Sequence, residues 1–211
     1  MINDFYMAFG VDRRGIAIAS IPIVHENGRA VRSFPNHFFL DQMTEKGADF
    51  TRRMLGDIAI SFMCRTHRDA TRRYVFEPVA ATRLFDDDSN VSRLVPDRDA
   101  VLPILVAVGL SDDGLSLETA EHDDAHQALP GTVRTTPLRE LEARGPDGAA
   151  TQVGNDVLGT LIRLYPAVFA SYPALYDTPE VAERARLLQQ EKRKVAKWLD
   201  DMENGRKPDD D

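Results

Sequence analysis

The densest run of chemistry-bearing side chains in this 211-residue sequence is Glu121-His-Asp-Asp-Ala-His126. On a helix, His122 and His126 at i and i+4 share a face, as metal ligands must, with Asp123 adjacent. That spacing points to a His/Asp metal-binding hydrolase. A zinc site needs a third protein ligand, however, and the sequence nominates none; the competing reading is a solvated acidic helix surface. A second run is basic. Arg65, Arg68 and Arg72 lie at i, i+3 and i+7, with Arg73 and His67 beside them and Asp69 the one acid among them. On a continuous helix these arginines form a stripe that could track a phosphate backbone. The preference of helix C-termini for cations accounts for the same residues without a ligand. Cys64, three residues before His67, is near enough to pair with it. Its neighbours Phe62 and Met63 mark it instead as a core thiol.

The elements that position these groups read as an α+β fold. Asp4–Gly10 is a short apolar run, Val11-Asp-Arg-Arg-Gly15 a turn, and Ile16–Val24 an alternating β-branched strand. Ile16 and Ile18 point to one face of that strand; Ala17, Ala19, Ile21 and Ile23 point to the other. Pro22 has no amide proton, which predicts an edge strand or a bulge there. Asn27-Gly28 tolerates the positive φ angles of a tight turn, so Arg29–Phe34 pairs back as the third strand of a meander. Residues 42–68 read as one long helix with Phe50, Met54, Ile58 and Phe62 at i+4 spacing, capped by Asp41 or Thr44. Arg73–Leu84 looks like a strand interrupted by Pro78, and Val101–Leu110 like a strand covered on both faces. Ser111–Gly114 could close a hairpin onto Leu115–Thr119, but a helix over 115–129, ended by Pro130-Gly131, is the preferred reading. Residues 130–154, with Gly145-Pro-Asp-Gly148, read as a linker. From about 155 the chain is helical, divided by Pro166 and Pro173, with a last helix over 179–204 opened by Thr178-Pro179 and an acidic tail at 205–211. The expected arrangement is a mixed or antiparallel sheet domain over 1–129, packed by the long helix, then the linker and the C-terminal helices.

Three antiparallel strands, a helix, a strand, then another strand and a helix resemble the opening of the RNase H-like superfamily, most closely its Holliday-junction-resolvase branch. Phe9-Gly-Val-Asp12 is similar to the end of that family's first strand, which carries an Asp. Tyr74-Val-Phe-Glu77-Pro78 is similar to its Glu-bearing strand, and His122, Asp123 and Asp124 stand where the last helix carries acids or His. The resemblance spans roughly residues 3–129, in matches of one to four residues each. It implies a divalent-metal-dependent nuclease in which Asp12, Glu77 and Asp123 or Asp124 hold Mg²⁺ or Mn²⁺ against a phosphodiester.

Composition narrows the classes. There are 26 basic and 34 acidic residues, a net charge of −8, and residues 200–211 alone hold six acids and two bases. The body is therefore only mildly acidic, and global charge does not favour nucleic acid or a membrane surface. The single Cys64 excludes an internal disulfide framework and a multi-cysteine zinc site. No apolar run approaches the ~20 residues of a membrane span, and the opening Met1-Ile-Asn-Asp has no secretory pattern; a reducing, cytoplasmic location is expected. Phosphate-loop, dinucleotide and Gly-x-Ser-x-Gly motifs are absent. The first expectation is thus a non-catalytic interaction or regulatory protein. Its protein partner or second copy would dock on the 179–204 helix, where Leu187 and Trp198 lie off the main apolar stripe and need a second surface. The nuclease and the metal-binding hydrolase follow as alternatives.

Overall fold

A computed structural model describes residues 2–26, 29–32, 36–72, 74 and 101–176. The strand expected at 73–84, Glu77, Arg73 and the 179–204 helix lie outside the described residues. Among them the fold is α+β, and every strand pairing is antiparallel. Strands β1 (Ile2–Val11), β2 (Ala17–Glu26) and β3 (Arg29–Arg32) form the expected meander, and Glu26 opposite Arg29 leaves the two-residue Asn-Gly connection. β4 (Asn36–Phe39) then pairs with β2 as well. Pro22 is thereby explained without an edge or a bulge. β2 is an interior strand, but its outer neighbour is β4 along residues 17–20 and β3 along 23–26. Pro22 falls in the gap between them, where a missing amide proton costs no ladder bond on that side.

The long helix is two. α1 (Leu40–Lys46) ends at Gly47, whose φ of 88° breaks the helix, and α2 (Ala48–Thr66) restarts without a side-chain cap. His67 breaks it again before the single turn α3 (Arg68–Thr71). Over 115–129 the rejected alternative is the correct one: β5 (Leu105–Ser111) turns through Asp112–Leu115 into β6 (Ser116–His122). Ser111 and Asp113 build that turn. The Asp113 carboxylate accepts from the Ser111 hydroxyl at 2.6 Å and the Leu115 amide at 2.9 Å, so the Ser-Asp-Asp-Gly signal outweighs the helical periodicity that follows it. The supposed linker is also structured. It holds β7 (Arg134–Pro137), α4 (Leu138–Ala143) and the first half of α5 (Gly145–Leu164), with Gly145 and Pro146 opening α5 rather than loosening the chain. A short turn of helix, α6 (Pro166–Phe169), and a 3₁₀ turn at Pro173–Leu175 follow, as the two prolines predict.

The sheet runs β3-β2-β1-β5-β6-β7. α2 and α5 cross on one face, and Met54, Leu55, Ile58, Val157, Leu158 and Leu161 share a core with Phe9, Val106 and Val108 of the sheet. The crossing is unusually close. A Cβ on Gly154 would stand 1.7 Å from the Arg52 carbonyl oxygen, and one on Gly56 1.8 Å from that of Ala150, so the two backbones touch where no side chain fits. The opposite face is buried too, with Ala8, Ala19, Ile23, Leu105 and Ala107 forming a second apolar cluster. β5 is buried along its whole length, as its apolar run predicts. No helix among the described residues is long and apolar enough to cross a membrane.

Candidate functional site

The acids and histidines singled out above occupy separate places. Asp12 closes the β1–β2 turn and is only 2% exposed. One of its oxygens accepts from the Ile16 and Ala17 amides at 2.7 and 2.9 Å, and the other from the Arg14 guanidinium at 3.0 Å. Burial raises its pKa, but these donors outweigh burial and hold the carboxyl below its ordinary value. Both oxygens are thus committed to the turn. His37, on β4, feels the same carboxylate, yet burial dominates and lowers its pKa. His122 ends β6 with its ring edge-on to Tyr6 at 5.2 Å, on the sheet face away from the helices. Asp123 closes the next turn, accepting from the Gln127 amide at 2.8 Å, Asp124 is exposed, and His126 adopts a left-handed φ of 62°. With 115–129 folded as a hairpin and turn, the one-face geometry expected of His122 and His126 is replaced by a strand end and a turn. β5 separates Asp12 from His122, two interstrand steps or about 10 Å, before any offset along the strands. Among the described residues no three His, Cys, Asp or Glu side chains gather closely enough to hold a metal ion.

The basic run is broken as well. Arg65, Arg68 and Arg72 are all exposed, but the helix ends between them, because His67 leaves helical geometry and its ring nitrogen meets the Phe5 carbonyl at 3.1 Å. The i, i+3, i+7 stripe therefore does not form on one helix. Gly114, in the turn that carries Asp112 and Asp113, packs beside Ala70 of α3. Cys64 is partly buried, and burial pushes its thiol up in pKa, with Thr71 opposing.

A different constellation assembles at the far edge of the sheet. β7 pairs with β6 only over Ser116–Thr119. Beyond Thr119 the returning chain bows outward, and a side chain completes the edge. The Glu121 amide donates to the Thr132 hydroxyl at 3.1 Å, that hydroxyl donates to the Leu129 carbonyl at 2.8 Å, and Gly131 supplies the positive φ the bend requires. The bow leaves a groove of about 250 Å³ over Thr119, Ala120 and Glu121, walled by Gly131, Thr132 and Arg134 and covered by Thr160 and Arg163 of α5. Arg163 pairs with Glu121 across 42 residues of sequence. Arg134 stands 3.8 Å from Asp156, beyond hydrogen-bond length. Burial raises the Asp156 pKa, with only Gln152 and Arg134 opposing it. Both guanidinium groups remain at the mouth, 61% exposed for Arg134 and 51% for Arg163, while their acidic partners lie deeper. Glu121 belongs to the acidic run, but nothing local marks Arg134, Thr132, Thr160 or Arg163. They meet only through the β5–β6–β7 register and the path of α5.

No family model matches the chain, and no curated protein or solved structure matches it either.

Proposed function

We propose that this chain is a non-catalytic interaction protein that docks an extended segment of a partner polypeptide along β7 and into the adjoining groove. The observation that carries the reading is the groove itself, a polar recess with two half-exposed arginines beside the last strand of the described sheet. Edge strands bind extended peptides through main-chain hydrogen bonds, and a neighbouring pocket then selects the side chain. Two large apolar side chains flank that edge: Val133 directly before β7, and Leu115, whose carbonyl accepts from the Leu138 amide just after it; each is 47% exposed. They give the segment an apolar contact at either end of a short four-residue ladder. Asp12, by contrast, spends both oxygens on its own turn, which favours binding over metal-assisted chemistry at that end of the sheet.

Random peptides displayed on phage test this. Wild type is expected to enrich peptides that a Leu115→Asp/Val133→Asp double variant, checked for native circular dichroism, no longer retains. Enrichment no greater than on an unrelated protein, or equal retention by the double variant, overturns the reading.

A further inference from the structure

Resting on that reading, we infer that the docked segment is acidic, and that an Asp or Glu side chain of the partner enters the groove to pair with Arg134. The charges inside the groove are unequally spent. Glu121 is committed to Arg163, which neutralises that pair. Arg134 is spent more loosely: its ion pair with Asp156 of α5 is 3.8 Å long, beyond hydrogen-bond length, and Asp156 also accepts from Gln152 at 3.4 Å. Asp156 balances the charge of Arg134 without taking its donors at hydrogen-bond length, so what the groove offers is an unspent guanidinium fork and not a net charge. A guanidinium offers a planar fork of donors that fits a carboxylate with two parallel hydrogen bonds. An entering carboxylate would take that fork with little rearrangement, because no hydrogen bond of Arg134 has to break.

The geometry also sets the register. Arg134 is the first residue of β7 and faces Thr119 across the ladder, so its side chain lies on the groove side of the sheet with Thr119. A strand added outside β7 would present alternate side chains to that side, and the acid belongs at the position beside Arg134. The next residues, Thr135 and Thr136, carry no charge, so a single acid is selected rather than an acidic run.

The test uses the full chain and the same phage-displayed peptides, followed by fluorescence anisotropy on individual synthetic ones. Peptides retained by wild type are expected to be enriched in Asp or Glu at one position. Their affinity should fall at least 10-fold in Arg134→Gln, recover in part in Arg134→Lys, and fall with added salt. Arg134→Glu should select peptides with Lys or Arg at that position instead. Peptides that need Leu115 and Val133 but show no acidic position, or bind Arg134→Gln as tightly as wild type, would overturn this inference and leave the docking reading standing. Absence of any peptide sensitive to the Leu115→Asp/Val133→Asp change would overturn both.

Discussion

Two carboxylates of this protein are almost equally buried and behave in opposite ways. Asp12 at the β1–β2 turn is 2% exposed and Asp57 in the middle of α2 is 5% exposed. Desolvation pushes both pKa values up. At Asp12, two amides and a guanidinium reverse the effect and hold the group below 3.8. At Asp57 nothing does. One of its oxygens has no hydrogen-bond partner, Arg53 comes no nearer than 4.0 Å, and that arginine is drawn instead to Asp147 of α5 at 2.5 Å. The Asp57 carboxyl is pushed up to about 6, with Arg53 opposing and Asp147 reinforcing the burial. Depth of burial therefore says little about a buried acid; the supply of donors decides its charge state.

The largest perturbation of this contrast is Gly154→Ala. The new Cβ has no space against the Arg52 backbone, so α2 and α5 must separate, at a cost of about 3 kcal/mol or more. Urea denaturation should show the loss. Titration of Asp57 followed by NMR should show its pKa falling back toward 3.8 as water enters the crossing; an unchanged pKa would place the source of the shift elsewhere. Next comes Asp12→Ala, which strands the Ile16 and Ala17 amides and should cost about 2–3 kcal/mol, whereas Asp12→Asn keeps an acceptor and should cost about half of that. Equal losses for the two would mean that the charge, not the hydrogen bonds, holds the turn.

Asp57→Asn is expected to act in the other direction. The folded pKa near 6 exceeds the unfolded 3.8, so between those values the native state holds a proton that the unfolded chain has released. Stability from this group is full below pH 3.8, falls as pH rises through 6, and is level above. The full shift converts to ~3 kcal/mol at 1.36 kcal/mol per unit; burying the amide of Asn offsets part, leaving a gain of about 2 kcal/mol at pH 8 and none at pH 3.5. Asp12 slopes oppositely, its contribution being complete above pH 3.8 and lost as pH falls through its lower folded value. Together they place the maximum of their joint contribution near pH 4, with stability falling from there toward pH 6, which thermal melts across pH would locate. The smallest effects belong to the groove. Arg134→Ala should change stability by less than about 0.5 kcal/mol, since its pair is loose and exposed, and Arg163→Ala by about 1 kcal/mol, because it leaves Glu121 buried without its cation. A larger loss at Arg134 would mark it as a structural residue instead of one held ready for a ligand.

The meander, the Asn-Gly hairpin, the covered strand β5 and the proline-divided turns after α5 were all legible in the residues, because each depends on contacts within a few positions. Strand alternation, turn chemistry and proline's fixed φ need no knowledge of the rest of the chain. The helix reading of 115–129 failed where two local signals competed, and pairing with β5 settled the contest in favour of the turn. The linker reading failed because glycine and proline open a helix as readily as they loosen a chain. Gly47 and His67 divided what the apolar periodicity joined, since that periodicity registers which face is buried and not whether the axis continues.

The candidate site shows the same boundary more sharply. Residue types alone determined that this chain has a sheet meander, an apolar helix with a buried face, and acids, histidines and arginines enough for several chemistries. Which of those side chains meet was decided by strand register and helix crossing, interactions between residues tens of positions apart. That is why Asp12 became a turn-holding carboxylate and His122 a buried ring on the sheet face, while Arg134 and Arg163, unremarkable in sequence, came to border one groove: side-chain chemistry is a property of the residue, but convergence is a property of the fold.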